Sequence, residues 1–420
     1  MPSHSLYLPI ERKDPMSQWK GWRKTLTVLA FIGPTLLGIL IFNIYPIIFN
    51  TYISLTNRNK FHPNPDCTIG LTGILEPTCW PAFRANAPKG LAEPYRLQDP
   101  LFGNYADLFG KFFTAPIVIA ALKILLCFVP LIIAGQVNKR LDKLLERPFP
   151  AWVLTVSALV LGVLIGYLVK FKEAVSAIGG SGDFFVVNVD SILYVLLCIP
   201  LFFVVGLGLA LLLNVHDLPG RTFFRVILIV PWAASTVAIM MSLVWKFFFQ
   251  DQGVINQLLR LVGQTGQTWL QEPVWAWVAI VITNIWYSYP FFMVTILGAL
   301  QSIPGELYEA ADVDGASWFQ QLFKITLPLL RPAVIPVIVL SSITTYQMFG
   351  TVWAITGGGP SRGAGAPGAT DMVMTYAYKQ VFQTQAYARM GAFAVIMFVL
   401  LFGATLYSLR ISRITKGAYE

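Results

Sequence analysis

Apolar residues fall along this chain in blocks of about 20, parted by short polar or charged stretches. At about 1.5 Å of rise per residue, such a block is long enough to cross a hydrocarbon core roughly 30 Å thick. The blocks predict eight helical spans, over about 25–55, 115–135, 151–169, 192–214, 223–248, 274–300, 333–355 and 388–409. Six or seven spans remain open if the second and third blocks do not cross. Pro34 and Pro46 predict kinks in the first span. That run is too long for a cleaved secretory leader and reads as a retained span.

Around the spans, residues 1–24 form a basic segment and residues 56–114 a polar connector rich in Pro, Asn and Asp. Residues 115–183 hold two further spans. Residues 184–410 form the main body, with a polar interruption over 302–332, and 411–420 are a tail. Lys and Arg gather at the first segment, at Lys139, Arg140, Lys143 and Arg147, at Arg221 and Arg225, at Lys324 and Arg331, and at the C-terminal end. The positive-inside rule therefore puts both termini and the 302–332 segment in the cytoplasm. The connector 56–114 falls outside. Lys170 and Lys172 run against the trend and are expected to snorkel to the interface. Cys67 and Cys79 then lie in an oxidising compartment, either as a loop staple or as two free thiols. Cys127 and Cys198 lie within apolar runs and read as packing residues.

Composition agrees. The chain is 56% apolar and 12% charged, where a soluble domain carries roughly 25% charged residues. The net charge of +9 fits basic cytoplasmic loops better than nucleic acid, since no basic helix with interleaved aromatics and no zinc-ligand pattern accompanies it. No catalytic or metal-ligating constellation stands out. Lys123 is the one clear ionisable group at depth, so a membrane-embedded enzyme would lack its acids or histidines.

The 302–332 segment reads as two short helices. Ser302 is a candidate cap, with Pro304 and Glu306 in the first turn, and Gly315 suits a left-handed end. Ser317 with Gln320 forms a capping box for the second helix. Leu322, Phe323, Ile325 and Leu327 give that helix an apolar face, and Pro328 and Pro332 are expected to end it. Ala310 and Ala311 allow a close approach, and Glu309 and Asp312 offer charge to a partner. A packed loop with no partner satisfies the same pattern.

Glu309-Ala310-Ala311 with Gly315, followed by Ile325-Thr-Leu-Pro328, resembles the EAA loop of binding-protein-dependent ABC importer permeases. Phe224 to Trp232, Trp245 to Phe249, Trp286 to Phe291 and Thr356-Gly-Gly-Gly-Pro360 resemble the carbohydrate-importing permeases, and among them the maltose-type first subunit. The resemblance implies an all-α polytopic protein built on a type I ABC importer permease core. It makes Glu309, Ala310, Ala311, Asp312 and Gly315 the contacts of a separate ATPase. It also implies a second permease subunit, two ATPase subunits and an external sugar-binding protein, in a bacterial inner membrane. ATP and Mg belong to the ATPase partner, since this chain has no Gly-x-x-x-x-Gly-Lys-Ser/Thr loop. The loop through Ala369-Thr-Asp-Met-Val373 resembles one that contacts the binding protein. The long external segment departs from the maltose type by following the first span instead of the third.

By the same resemblance, Asn284, Tyr287, Ser288 and Phe291 on one helix and Ser341, Thr344, Thr345 and Met348 on another hold the solute. Thr344, Thr345 and Met348 stand where the enteric family members have an aromatic and two asparagines. Hydroxyls and amides beside aromatic rings at membrane depth suit an uncharged polyol such as maltose or trehalose, and interhelical hydrogen bonding is the competing use. Another small solute, such as glycerol phosphate, is the second reading. No basic cluster in the spans is there to hold a phosphate.

Overall fold

A computed structural model describes residues 22–65, 67, 70–80, 94–110, 115–144, 151–179, 182–215, 218–233 and 238–416. The basic segment up to residue 21, part of the connector and the last four residues of the tail lie outside the described residues. Within them the protein is built of helices, and the extended pairings are isolated bridges such as Thr56 with Leu97.

The first span comprises α1 (Trp22–Ile39), one π turn (Leu40–Ile44) and α2 (Tyr45–Ser54). The wide turn sits just before Pro46, whose ring nitrogen has no proton to give the preceding turn. The connector holds α3 (Gly70–Leu75) and α4 (Gly103–Gly110). A disulfide joins Cys67 to Cys79, with Cα atoms 5.3 Å apart. Beside it Arg58 pairs with Glu76 at 3.3 Å and lies over the ring of Tyr95, whose hydroxyl also donates to Glu76. Burial, and then the Glu76 carboxylate, push the Tyr95 phenol up. Arg58 O also accepts from Ala388 N, so the stapled connector is tied to the foot of the last span.

Helices α5 (Ala115–Leu144) and α6 (Ala151–Leu168) pack as a pair, followed by the short α7 (Phe171–Gly179). The fourth span, α8 (Asp183–Asn214), starts nine residues earlier than the apolar run suggests. Between the expected spans 151–169 and 192–214, the described residues include α7 and the first turns of α8. Within the described residues of the fifth span lie α9 (Arg221–Ala233) and α10 (Ala238–Phe248). The stretch 250–273, read as a polar loop, contains α11 (Val254–Leu261). Buried Asn256 organises it, donating to the carbonyls of Gln250, Asp251 and Gln267 and accepting from Trp269 Nε1 at 2.9 Å. The sixth span is α12 (Pro273–Leu300).

Beyond it come α13 (Glu306–Val313) and α14 (Trp318–Gln321), a second π turn (Leu322–Thr326), α15 (Leu327–Tyr346) and α16 (Gly350–Thr356). Helix α17 (Val373–Phe382) and the last span α18 (Tyr387–Lys416) close the chain. Pro328 and Pro332 do not end the second loop helix. A π turn precedes Pro328, which sits in the first turn of α15, Pro332 lies inside α15, and the helix runs on unbroken from Trp318 to Tyr346. The seventh span therefore ends at Tyr346, and α16 is a separate helix.

Among the described residues, six helices are long and apolar enough to cross a membrane: 25–54, 115–138, 183–214, 273–300, 318–346 and 387–407. The third and fifth expected spans appear as shorter apolar helices, Val153–Leu168 and Ile239–Phe248. The core is the crossing of α8 and α12. Tyr194, Phe202, Phe292, Met293 and Ile296 are fully buried there. Gly206 makes the closest approach, since a Cβ at that position would lie 2.6 Å from Phe292 Cβ. Outward faces of α1, α5 and α6 carry exposed Leu, Ile, Val and Phe, as lipid-facing surfaces do.

Candidate functional site

The segment between α12 and α15 is ordered by its own backbone chemistry. Ser302 does not cap α13; its Oγ turns back to Ala299 O at 2.7 Å, and the helix starts at Glu306 after Gly305. At the other end Ala316 N reaches Ala311 O and Gly315 N reaches Asp312 O, with Gly315 at φ +73. This is a Schellman stop, and it needs the left-handed residue at Gly315. The capping box opens α14, with Ser317 N donating to Gln320 Oε1 at 2.7 Å. Tyr308 and Thr326 share a hydrogen bond of 3.0 Å, which fastens α13 to the root of α15.

Glu309, Ala310, Asp312 and Gly315 are exposed and Ala311 is half-buried. Asp312 Oδ1 accepts from Gln321 Nε2, and its carboxylate stays exposed. Its role inside the loop is to join α13 to α14. Glu309 has the open carboxylate. Around it Val313 is 89% exposed, and Trp318, Phe319 and Phe323 are exposed too. Phe323 therefore belongs to the outer face of the loop and not to the helix's packed side.

Between the middle of α12 and the far end of α15 lies a cavity of about 420 Å³. Asn284, Tyr287, Ser288 and Phe291 of α12 line it together with Ser341, Thr344, Thr345 and Met348 of the α15 end. All eight residues named from sequence thus meet in one space. Trp232, Leu340 and Thr351 complete the wall, and none of the lining side chains is charged. Trp232 was quoted from sequence only as part of a motif. In the structure its ring is stacked with that of Phe291, centroids 6.1 Å apart and 14° from parallel.

Asn284 is fully buried. Its Nδ2 donates to Cys198 Sγ on α8 at 3.7 Å, and its Oδ1 accepts from Ser288 Oγ at 3.4 Å. Thiols accept weakly, so the amide keeps donor capacity for a better partner. Thr344 donates back to Leu340 O and Ser341 O, which leaves its oxygen as an acceptor. A larger crevice of about 690 Å³ lies between α5, α6 and α7, but its floor is Phe128, Leu131, Ala158 and Val163. Size alone does not pick the site; converging polar groups do.

The 357–372 segment lies at the opposite end of α15 from the Glu309 loop. Residues Ala369 to Val373 are buried at 1% exposure or less, so they are not a contact surface; the exposed tip is 361–366. Arg362 spans from that tip to Asp190 of α8 with two bonds, 2.7 and 3.1 Å. Lys379 of α17 pairs with buried Asp371 at 2.8 Å. Neither pair was foreseen from sequence. Tyr376 donates to Asp183 at 2.8 Å, and burial together with that carboxylate pushes its phenol up.

Residues 203–411 match the family described as "Binding-protein-dependent transport system inner membrane component". Over 214 residues the chain is 35% identical to the trehalose/maltose transport system permease protein MalF of Thermococcus litoralis, covering 51% of this chain and 69% of that protein. It is 36% identical over 224 residues to the sulfoquinovosyl glycerol transport system permease protein SmoG of Agrobacterium fabrum, covering 53% and 70%. Against the maltose/maltodextrin transport system permease protein MalF of Escherichia coli (strain K12) it is 33% identical over 251 residues, covering 58% of this chain and 48% of that protein.

Proposed function

The chain belongs to the binding-protein-dependent transport system inner membrane component family, among its carbohydrate ABC importer permeases, and we propose that it carries an uncharged sugar through the cavity between α12 and α15. The solute is a disaccharide or short oligosaccharide of the maltose or trehalose kind. One observation supports this most: eight hydroxyl, amide, thioether and aromatic side chains converge on one cavity with no charged group in its wall. Hydroxyl-rich solutes need donors and acceptors for their oxygens and rings for their C–H faces, and the Trp232–Phe291 pair offers the rings. A phosphorylated polyol would meet no cation there.

In this reading the chain is a translocation subunit and does not itself hydrolyse ATP. A second permease subunit, two ATPase subunits that hold ATP and Mg, and an external sugar-binding protein complete the transporter. The protein sits in the bacterial inner membrane with both termini in the cytoplasm, and the Glu309 loop meets the ATPase there. The geometry supports a mechanical route. Helix α12 carries one wall of the cavity and ends at Leu300, just before the loop. The other wall is on the helix that begins at Trp318 and reaches Ser341 about 35 Å further on, at ~1.5 Å per residue. Both walls are thus continuous with the loop. ATP-driven closure of the ATPase pair moves the loop, and the π turn Leu322–Thr326 gives the second helix a place to bend.

Competition uptake in cells carrying the complete transporter tests the substrate. Unlabelled maltose or trehalose should suppress uptake of the labelled sugar, and glycerol phosphate should not. Suppression by glycerol phosphate alone would overturn the sugar reading.

A further inference from the structure

The crevice of about 690 Å³ between α5, α6 and α7 lies apart from the solute cavity and has an apolar body with a charged mouth. Phe128 and Leu131 of α5 line it together with Leu159, Gly162, Val163 and Gly166 of α6. The α6 members recur every three or four residues, so they form one stripe along the helix. The glycines keep that stripe low. A Cβ at Gly162 would lie 2.7 Å from Cys127 O, so α5 and α6 approach at the backbone there. Lys170, in the left-handed region at φ +58, turns the chain from α6 into α7, and α7 packs back on α5. At that end the wall becomes polar, with Tyr167, Lys170, Lys172 and Glu173.

Length and charge together decide what fits. From Ala158 at the inner end to Tyr167 at the mouth is nine residues of α6, or about 14 Å. That is close to half of a hydrocarbon core roughly 30 Å thick, the depth of one leaflet. Val163 is 74% exposed and Tyr167 84%, so the crevice opens sideways along the outer face of α6. A polar solute would leave its hydrogen bonds unmade against such a wall. An acyl chain makes none. With the chain in place the mouth lies at headgroup level, where a phosphate meets two ammonium groups. Lys170 pairs with Glu173 at 3.1 Å, but the two side chains are 68% and 69% exposed. Water weakens such a pair enough for Lys170 to turn to a phosphate. The lysines then have a reason to stand where, in the topology proposed above, the Lys/Arg bias disfavours them.

We propose that this crevice binds one phospholipid of the surrounding leaflet, with an acyl chain along the α6 stripe and the phosphate on Lys170 and Lys172. The site does not depend on what the central cavity carries. Native mass spectrometry of the full chain, delipidated in detergent and titrated with phosphatidylglycerol, tests it. Diacylglycerol with the same chains is the probe that lacks the phosphate. Val163→Trp fills the crevice from its exposed side, and Lys170→Gln with Lys172→Gln removes the charge at the mouth. Leu37→Trp, on the exposed face of α1, is the control. Unchanged thermal midpoints confirm that the variants are folded. The expected result is one phosphatidylglycerol held at least tenfold more tightly than further copies and than diacylglycerol. Val163→Trp should lose it, the lysine variant should bind it no better than diacylglycerol, and Leu37→Trp should change nothing. Absence of a distinct first phosphatidylglycerol overturns the proposal, as does equal binding of diacylglycerol or full retention in either crevice variant. A cross-link from Val163→Cys to another subunit in the complete transporter would give the crevice to a protein partner and overturn it too.

Discussion

Gly357 and Gly358 are adjacent, both left-handed, and differ in what surrounds them, so alanine at each separates backbone strain from a broken ion pair. Gly357 has φ +58, and a Cβ there would meet only Trp353 O at 3.9 Å. Gly358 has φ +83, and its Cβ would lie 1.8 Å from Asp371 Oδ1 and 2.6 Å from Lys379 Nζ. Left-handed strain costs an L-residue about 1–2 kcal/mol, which both variants carry. Gly358→Ala must in addition drive Asp371 and Lys379 apart, and breaking a buried pair costs about 3–5 kcal/mol. Lys379 retains 24% side-chain exposure, so water recovers part of that, and an extra ~2–3 kcal/mol is the working figure. Thermal unfolding of the purified chain in nanodiscs, followed by tryptophan fluorescence, reads the difference. Gly357→Ala should lower the midpoint slightly and Gly358→Ala clearly more. Lys379→Met, which removes the ammonium but keeps most of the stem, should narrow the gap between the two. Equal midpoints for Gly357→Ala and Gly358→Ala would refute the account of the Asp371–Lys379 lock.

Two further outcomes follow from the same coordinates. Replacing Cys67 and Cys79 together by Ser frees a loop closed at a sequence separation of 12 and should cost about 3 kcal/mol locally; limited proteolysis should then cut the connector several-fold faster, while an unchanged rate would deny the staple a structural role. Trp232→Ala removes one ring of the stacked pair, worth about 1–1.5 kcal/mol toward a sugar face, so half-saturation of uptake should rise roughly tenfold; unaltered half-saturation would take Trp232 out of the site.

Much of this was legible in the sequence because it is written locally. The Schellman stop at Gly315 and the Ser317–Gln320 box are encoded within a few residues, and both form. The eight cavity residues were legible through the family resemblance of the two helices that carry them, and the polar run from Ser341 inside an apolar span agrees with it. What escaped depends on distant partners. Asp190 read as part of a polar loop because a carboxylate seldom sits inside an apolar helix, but Arg362, 172 residues away, neutralises it and α8 begins at Asp183. Asp371 was placed on a contact surface by the resemblance of its loop, whereas it is buried with Lys379 of α17 as its partner. Pro328 and Pro332 read as stops because proline usually breaks a helix, but Pro328 falls in the first turn of α15, where its missing N–H is tolerated, and α15 runs on through Pro332. Ser302 had a cap's identity but its hydroxyl found Ala299 O first.

The central claim is that the loop at Glu309 transmits the work of a separate ATPase to the sugar cavity. ATP-driven uptake of labelled maltose or trehalose by proteoliposomes holding the complete transporter tests it most directly, with Glu309→Ala as the perturbation. Glu309 is exposed on α13, so the variant should fold, insert and keep its thermal midpoint. The account predicts that uptake is lost while the external binding protein still takes up sugar. Uptake at the unmodified rate would contradict it.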